Sequence, residues 1–443
     1  MLNQGHASGD QLVHDDDSAN VPATIAHKES LVANAASVRP IPRISIQAFC
    51  EIASTANSIQ LAAEDRRLSK VHVGVNMGGA AAAVGHYQQN STPNLIVVES
   101  TLNHDAMLQE LDRLAECCDA GTKVIVIGKV NDVILYRELL RRGVSEYLVA
   151  PLHPMAFIEA VSSLYNDPDA APVGHVIAFF GAKGGVGSST ICHNVAWSLS
   201  NKSTSSIVVA DFDLAFGTTG LDFNQDPVQG IAEALQTPER LDDQLLDRLL
   251  TKYSDNLSIF AAPVVLDRDY DISADACEIV IDVVRRNVPN VIVDVPNGWS
   301  SWTKHLLLQA DEVVVTAAPD LANLRNAKNV FDLLRQTRNN DGPPHLVLNT
   351  VNMPKRPEIS ISDFCKGLDA KPTAIIEFDS ESFGTAANNG QMVEEVNRKA
   401  KSVQTFHELA MLLTNQDKDK AAHMNRNGRS PFAPLLETFK LSR

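Results

Sequence analysis

The stretch GAKGGVGSST, residues 181–190, has the residue types of a loop that binds phosphate groups. Its glycines, Gly184, Gly185 and Gly187, let the backbone approach an anion without side-chain collision. The apolar segment HVIAFF precedes the loop, and SSTICHNVAWSLS after it begins a helix. Strand, loop and helix N-terminus in this order direct backbone N–H groups and the positive end of a helix dipole at one anion. We therefore predict a nucleotide site.

The loop lacks one usual component. A phosphate loop ordinarily ends in Gly-Lys-Ser/Thr, and that lysine reaches the β- and γ-phosphates. Here Gly187 is followed by Ser188, and the nearest lysine, Lys183, lies near the start of the loop. Ser189 stands where the loop hydroxyl binds Mg²⁺. The predicted nucleotide-binding residues of the loop are Lys183, Gly184, Gly185, Val186, Gly187, Ser188, Ser189 and Thr190.

Two further apolar segments carry acidic residues at their ends. SIVVADFD places Asp211 and Asp213 there, and NVIVDVPNG places Asp294. Ligands bind at the carboxyl ends of parallel strands, and Mg²⁺ prefers hard oxygen ligands. A lone aspartate at such a position is often only a helix cap, but three of them beside a phosphate loop favour a metal–nucleotide site. We predict that Ser189, Asp211 and Asp294 hold Mg²⁺.

Short apolar runs alternate with helical periodicity over two parts of the chain, which predicts an α/β fold with two parallel-sheet domains. In the smaller part the predicted strands are VHVGV, NLIVVES, KVIVIG and EYLVAPL. In the larger part they are HVIAFFGA, SIVVADFD, LSIFAAP, NVIVDVP, EVVVTAAP, HLVLNTV and TAIIEFD. The predicted boundaries are a disordered segment at 1–40, a docking or linker segment at 41–69, a domain at 70–165, a linker at 166–174, a domain at 175–415 and a flexible tail at 416–443.

Composition excludes several classes of protein. The net charge of −16 argues against non-specific binding to nucleic acid, so we expect no nucleic-acid partner. The six cysteines form no C-x-x-C pair, which argues against structural zinc and a disulfide framework. The N-terminus lacks the features of a signal peptide, and no apolar run reaches transmembrane length. We expect a cytoplasmic protein with no direct membrane span.

Several ordered motifs resemble the ParA/MinD group of P-loop ATPases: KGGVGSST, VVADFDLAFG, VIVDVPNG, LVLNTVN and FGTAANNGQ. The resemblance implies that Lys183 is the signature lysine, which reaches across a dimer interface to the partner's nucleotide. It implies that Asp213 is the switch aspartate that helps to position the attacking water. Lys183 and Asp213 are therefore the candidate catalytic residues. Asp294 matches the Walker B acid, and Asn349 matches the strand end that helps to hold adenine.

A narrower resemblance covers nearly everything from about residue 40 to 415. ISIQAFCE, GAKGGVGSST, DFDLAFGTTGLDF and FGTAANNGQ look like the CpaE/TadZ family of pilus assembly proteins of Flp/Tad type IVc systems. This resemblance implies a homodimer with ATP and Mg²⁺ as cofactors. It also implies two partners, the pilus secretion ATPase and the inner-membrane platform proteins, and a location at the inner-membrane face or cell pole through them.

The serine at position 188 bears on activity. A lysine at this position supplies positive charge where the negative charge of the phosphates is concentrated. Because Ser188 removes that charge, we expect ATP to bind and to promote dimerisation, with slow or absent hydrolysis. The alternative is an active partitioning or positioning ATPase of the ParA/MinD type.

The domain at 70–165 resembles a receiver domain of flavodoxin-like fold. Receivers need an acidic pair after the first strand, an acceptor Asp after the third, a hydroxyl after the fourth and a Lys before a Pro after the fifth. Taking VHVGV as the first strand leaves Asn76 at the acidic place, while Glu99, Gly128 and Ala150 occupy the others. We predict a degenerate receiver used for docking or localisation. A second hypothesis is that Glu99 imitates a permanently charged state, and a third, a phosphorylation-responsive regulator, is disfavoured.

The last apolar piece, PFAPLLETFKLSR, has helical spacing of its apolar residues but little positive charge. A membrane-binding helix is normally more basic. We expect this piece to pack on the protein itself or on a partner.

Overall fold

The computed structural model describes Val38 and residues 41–119, 121–165, 173–202, 205–227, 229–263 and 270–414. The segments predicted to be disordered or flexible, 1–40 and 416–443, lie outside the described residues apart from Val38, as does most of the predicted linker at 166–174. Two separate sheets account for the strands, so the structure confirms an α/β fold with two largely parallel sheets.

The first sheet has five parallel strands in the order β2-β1-β3-β4-β5. Its strands are β1 Ser45–Cys50, β2 His72–Met77, β3 Leu95–Glu99, β4 Lys123–Gly128 and β5 Glu146–Val149. Its helices are α1 Ala53–Ala63, α2 Gly79–Tyr87, α3 His104–Cys117, α4 Val133–Arg141 and α5 Pro154–Tyr165, with a 3-10 turn at Arg66–Leu68. Apolar cores cover both faces of this sheet, as a parallel sheet requires.

The segment at 41–69, predicted to be a docking or linker segment, is instead the first β-strand and helix of this sheet. β1 lies between β2 and β3 and is paired with both. Ile46, Ala48 and Cys50 pack in one core, while Gln47 accepts a hydrogen bond from the Tyr87 hydroxyl at 2.7 Å. Polar Ser45 and Gln47 interrupt the apolar run, which is why the sequence did not reveal a central strand.

The second sheet has eight strands in the order β13-β12-β11-β6-β10-β7-β9-β8, and only β8 is antiparallel to its neighbour. The strands are β6 His175–Gly181, β7 Ile207–Asp211, β8 Thr251–Lys252, β9 Leu257–Phe260, β10 Asn290–Val295, β11 Glu312–Ala317, β12 His345–Val351 and β13 Pro372–Glu377. The seven strands predicted from the sequence are confirmed. The two-residue β8 was missed, because so short an edge strand has no periodicity to detect.

Helices cover both faces of the second sheet. They are α6 Ser188–Lys202, α7 Thr219–Asp222, α8 Ile231–Gln236, α9 Asp243–Leu249, α10 Ala274–Asn287, α11 Ser301–Gln309, α12 Leu321–Thr337, α13 Ile361–Leu368, α14 Ser380–Asn389, α15 Val393–Val396 and α16 Lys401–Leu413, with a 3-10 turn at Pro238–Arg240. Successive residues of β6 face opposite sides of the sheet: Ala178 packs in one apolar core and Phe179 packs in the other. Among the described residues, no helix is long and apolar enough to cross a membrane.

A buried ion network joins the two halves at the amino ends of the second sheet. Arg66 of the 3-10 turn lies 2.9 Å from Asp311 and 2.9 Å from Asp341. Asp311 also pairs with Arg285 at 3.0 Å and accepts a hydrogen bond from the backbone N–H of Val176 at 2.9 Å. The contact therefore lies at the amino ends of the strands, and the predicted nucleotide site lies at their carboxyl ends.

We expect Asp341→Ala to lower the free energy of unfolding by about 3–5 kcal/mol, because it leaves buried guanidinium groups without their carboxylate. Urea unfolding of the full chain measures this. Asp363→Ala, which removes an exposed partner of Lys366, is the matched control and should have little effect. Equal effects of the two variants would contradict the assignment.

The same network has a pH dependence of defined sign. Burial alone would raise the pKa of Asp311 and Asp341, but the charges of the neighbouring arginines outweigh it and hold both values below the usual range. Carboxylates with depressed pKa values stabilise the fold above their unfolded-state values, near about pH 4, and lose that contribution as the pH falls further. The difference between the unaltered chain and Asp341→Ala should therefore shrink below about pH 4.

Candidate functional site

The predicted phosphate loop connects the end of β6 to the start of α6. Gly185 and Gly187 have φ values of 77° and 82°, in the left-handed region that favours glycine. A Cβ at Gly187 would also come within 2.6 Å of the Asn349 side-chain nitrogen. Position 187 thus requires glycine on two independent grounds, while the predicted close approach of an anion to the loop stays a prediction.

Three asparagines hold the backbone carbonyls of the loop. Asn297 Nδ2 donates to the Gly181 carbonyl at 2.7 Å. Asn326 Nδ2 donates to Ala182 at 2.9 Å, and Asn349 Nδ2 donates to Val186 at 2.8 Å. Sequence reasoning placed Asn349 at the adenine, a role that stays a prediction, and missed Asn297 and Asn326. No spacing rule reveals them, since they come from different elements.

The backbone N–H groups of residues 183–187 have no acceptor within the described part of the chain. Lys183, Gly184 and Gly185 are exposed, so these donors can reach an anion from solvent. This is the arrangement that binds phosphate at a helix N-terminus. The loop therefore has the donors that a phosphate requires, without any side-chain charge at position 188.

Lys183 carries the only side-chain charge within 181–190. It is exposed and forms no ion pair or hydrogen bond with any described residue. Its charge acts on Asp320, the N-cap of α12: burial would raise the pKa of Asp320, but hydrogen bonds from Asn323 and the charge of Lys183 lower it. Lys183 is thus free to reach a group outside its own chain.

Ser188 begins α6 and is buried, with 8% of its surface exposed. Its hydroxyl has no hydrogen-bond partner among the described residues. An unpartnered buried hydroxyl is uncommon in a folded protein and is typical of a site that takes a ligand or water. The hydroxyl can offer a hydrogen bond, but it cannot supply the positive charge of a lysine.

Asp211 and Asp294 lie side by side on adjacent strands. They are directly opposite each other in the register of β7 and β10, and both are buried. Burial, followed by the charge of Asp211, raises the pKa of Asp294 to about 7. Burial also raises the pKa of Asp211, although its Oδ2 accepts a hydrogen bond from the Thr219 hydroxyl at 2.7 Å. Two buried carboxylates this close oppose each other's ionisation.

The carboxylate pair fits Mg²⁺. Asp294 Oδ2 has no hydrogen-bond partner among the described residues, and a hydrogen bond from Ser189 to Asp294 favours the ionised form. A divalent cation would offset the repulsion between the two acids. No group of three or more His, Cys, Asp or Glu side chains within the described residues could hold a metal by itself. Mg²⁺ commonly uses one or two carboxylates and completes its coordination with phosphate oxygens and water.

Asp213 closes the turn that follows β7. Its Oδ1 accepts a hydrogen bond from the Phe216 backbone N–H at 3.0 Å, and its own N–H donates to Asp211 Oδ1 at 3.0 Å. The charge of Asp213 also acts on Asp294. The structure therefore brings Asp213 to the carboxylate pair, while its predicted role toward water stays a prediction.

His193 is a further residue of this site that sequence reasoning missed. It lies on α6, is fully buried, and contacts Asp222 Oδ2 at 2.7 Å and the Thr219 hydroxyl at 2.9 Å. Burial lowers the pKa of His193, but the hydrogen bond with Asp222 and the charges of the nearby acids outweigh burial and raise it. The sequence signal for this residue was a histidine within the predicted helix SSTICHNVAW.

Among the described residues of the receiver-like half, the acceptor position is filled. Glu99 is buried, and its carboxylate accepts hydrogen bonds from the backbone N–H groups of Glu51 and Ile52, both at 2.8 Å, and from the Thr55 hydroxyl at 2.6 Å. A Cβ at Gly128 would collide with the Tyr147 ring. Three donors thus hold Glu99 in place, and Tyr147 occupies the space beside Gly128.

The choice of first strand in the receiver-like half was wrong. The first strand is β1, which ends at Cys50, so Glu51 rather than Asn76 follows it. Glu51 Oε2 accepts a hydrogen bond from the Thr101 backbone N–H at 2.8 Å. One acid therefore stands where receivers have a pair, and it joins two loops of the fold.

A family model and several known proteins match parts of this chain. A family model described as an AAA domain matches residues 174–341. The septum site-determining protein MinD of Helicobacter pylori is 27% identical over 234 residues, which cover 49% of this chain and 83% of that protein. A ParA family ATPase from Chlorobium tepidum has a solved structure that is 23% identical, covers 54% of this chain and 98% of that one, and gives a TM-score of 0.50.

A solved structure of the pilus assembly protein CpaE from Caulobacter crescentus is 52% identical, with a TM-score of 0.29. It covers 29% of this chain and 98% of that chain. The fold and loop of the second sheet define a P-loop ATPase fold of the ParA/MinD type. By its identity to the Caulobacter protein over nearly that protein's whole solved chain, this chain belongs to the CpaE family of pilus assembly proteins.

The carboxylate pair predicts a pH-dependent effect of Asp294→Asn. An aspartate whose pKa is raised to about 7 in the fold destabilises the fold as the pH rises from its unfolded-state value through 7. Without Mg²⁺, Asp294→Asn should therefore melt at a higher temperature than the unaltered chain at pH 8, with a smaller gain at pH 5. Differential scanning calorimetry measures this.

Asp255→Asn is the matched control, because the Asp255 side chain is 98% exposed. It should give no gain at either pH. A lower melting temperature of Asp294→Asn at pH 8 would show that the two carboxylates do not oppose each other in the fold.

Proposed function

We propose that this protein is a nucleotide-binding localisation and assembly factor for pili of the Flp/Tad type. It binds ATP with Mg²⁺ in the loop at 181–190, dimerises on it, and hydrolyses it slowly or not at all. The observation that carries the proposal is a loop with free backbone donors at residues 183–187 and a buried serine, Ser188, in place of a lysine.

Each residue has a distinct part in binding. The N–H groups of residues 183–187 bind the phosphates, with the N-terminus of α6 behind them. Ser189, Asp211 and Asp294 hold Mg²⁺, which neutralises phosphate charge when bound. Position 188 offers only a hydroxyl, so the charge that builds up on the phosphates during hydrolysis receives less stabilisation there than in an ordinary P-loop.

Exposed apolar side chains at the carboxyl ends of the second sheet support dimerisation there. Phe216, Leu221 and Leu321 are each more than 70% exposed, and Trp299 is 54% exposed. They follow strands β7, β10 and β11, the same strand ends that form the nucleotide site. A second copy of the chain would cover this surface, and the unpaired Lys183 would reach its nucleotide. Burial of large exposed apolar groups is a general driving force for association.

The partners proposed are the pilus secretion ATPase and the inner-membrane platform proteins, with the protein located at the inner-membrane face or cell pole through them. The receiver-like half suits docking, because Glu99 is occupied by three hydrogen bonds and cannot serve as an open acceptor. The same bonds disfavour a phosphorylation-responsive regulator. The proposed domain boundaries are 41–165 for this half and 175–415 for the ATPase half.

Nucleotide turnover tests the proposal. The unaltered protein with Mg²⁺ should bind ATP and turn it over at least about tenfold more slowly than Ser188→Lys, because the lysine restores charge at the β- and γ-phosphates. Isothermal titration measures binding, and phosphate release measures turnover. Ser188→Ala, which adds no charge, is the matched control. Rapid turnover by the unaltered protein would instead establish the alternative, a cycling ATPase of the ParA/MinD type.

Dimerisation depends on Lys183 in this proposal. Lys183→Ala should bind Mg-ATP with an affinity within about threefold of the unaltered chain, because loop N–H groups supply most contacts. It should nevertheless remain a monomer when the unaltered chain with Mg-ATP is a dimer. Light scattering after size-exclusion chromatography distinguishes the two. Lys371→Ala is an exposed-lysine control that should dimerise, and a dimeric Lys183→Ala would contradict the proposal.

A further inference from the structure

The segment that follows β7 contains both the turn at Asp213 and the exposed side chains Phe216 and Leu221. Residues 213–222, here termed the switch segment, end with the short helix α7. On one side α7 approaches Gly390, where a Cβ would lie 2.6 Å from the Leu221 carbonyl oxygen. That contact is a close backbone approach and supplies no hydrogen bond. The polar attachment of α7 must therefore come from elsewhere.

Asp211 Oδ2 supplies one such attachment from β7, because it accepts a hydrogen bond from the Thr219 backbone N–H at 3.2 Å. His193 supplies a second attachment, from the phosphate-loop helix. Its Nδ1 lies 2.7 Å from Asp222 Oδ2, and its Nε2 lies 2.9 Å from the Thr219 hydroxyl. The Thr219 hydroxyl in turn donates to Asp211 Oδ2 at 2.7 Å. Because the hydroxyl has one hydrogen and gives it to Asp211, it accepts from His193. A chain of hydrogen bonds thus runs from α6 through α7 to the carboxylate pair.

The attachment lies close to the proposed nucleotide contacts. His193 is five residues beyond Ser188 on the same helix, and its Nε2 is 3.6 Å from Asp294 Oδ2. Phe216 and Leu221, the exposed apolar side chains of the switch segment, lie on the surface proposed for a second copy. His193, which belongs to α6 and forms hydrogen bonds with α7, therefore lies between the phosphate loop and that surface.

We propose that His193 is a positioning residue that ties the switch segment to the phosphate-loop helix, so that nucleotide in the loop sets the position of the dimerisation surface. The coupling to nucleotide rests on the proposed function, whereas the tie itself does not. His193 touches neither nucleotide nor metal in this assignment. It acts through Thr219 and Asp222.

Hydrogen–deuterium exchange of the full chain tests the tie without nucleotide. Several amides between residues 217 and 223 are bonded within the segment, including Asp222 to the Thr218 carbonyl at 2.8 Å. Asp222→Ala removes the carboxylate that bonds both His193 and the Thr218 hydroxyl, at 2.7 Å and 3.1 Å. These amides should exchange at least about tenfold faster, the factor expected for one charge-assisted hydrogen bond. Asp226→Ala, an exposed acid just beyond the segment, is the matched control and should leave exchange unchanged.

Two conservative variants of His193 separate positioning from packing. His193→Asn places an amide where Nδ1 lies and keeps a donor for Asp222, whereas His193→Gln places it where Nε2 lies and loses that donor. We expect fast exchange of residues 217–223 in His193→Gln and near-normal exchange in His193→Asn. Unchanged exchange in both Asp222→Ala and His193→Gln would overturn the proposal. Faster exchange throughout the second sheet, with a lower melting temperature in both His193 variants, would also overturn it by making His193 a packing residue.

Mg-ATP then tests the coupling. In the unaltered chain it should slow exchange at residues 217–223, and in His193→Gln it should bind without slowing that exchange. Equal protection in both would overturn the coupling. Isothermal titration in the same buffer distinguishes failure of the proposed function, since a chain that binds no Mg-ATP overturns that function and the coupling together, while the nucleotide-free comparison still decides the tie.

Discussion

The direct pairing of Asp211 and Asp294 on adjacent strands is the constraint that shapes the carboxyl ends of the second sheet. Two carboxylates at one register of a buried sheet are unfavourable in the absence of a positive charge, and burial and mutual repulsion together raise the pKa of Asp294 to about 7. Two polar residues contact the pair. The Thr219 hydroxyl donates a hydrogen bond to Asp211, and His193 Nε2 lies 3.6 Å from Asp294 Oδ2. Asp294 Oδ2 is still left without a hydrogen bond among the described residues. A cation bound between the two carboxylates would offset their repulsion and, like any ligand of the native state, would stabilise the fold.

Charge is arranged differently at the two ends of the second sheet. At the amino ends, Arg66, Arg285 and Arg338 surround Asp311 and Asp341, so acids and bases are paired and the contact is closed. At the carboxyl ends, acids outnumber bases within the buried site, and the loop N–H groups have no acceptor in the described chain. The first end holds the receiver-like half in place. At the second end, the loop N–H groups and the exposed Lys183 face solvent.

In the receiver-like half, side chains of the fold fill the position where receivers have an acceptor. Glu99 accepts three hydrogen bonds, and Tyr147 occupies the space beside Gly128. These contacts use the acceptor position to fasten the loops after β1 and β3. The ion pairs of Arg66 attach this half to the amino ends of the second sheet.

Local pattern was sufficient for much of this protein. Gly185, Gly187, the acids at the ends of β7 and β10, and seven strands of the second sheet were all evident in the sequence, because glycine torsions, strand periodicity and motif spacing are properties of neighbouring residues. Only the tertiary structure decided that β1 is a central strand, that three asparagines from separate elements hold the phosphate loop, and that His193 bonds the switch segment. Those arrangements depend on partners far apart in the chain. A polar side chain in a strand or helix gives no local sign of which distant group it will meet once the sheet has formed.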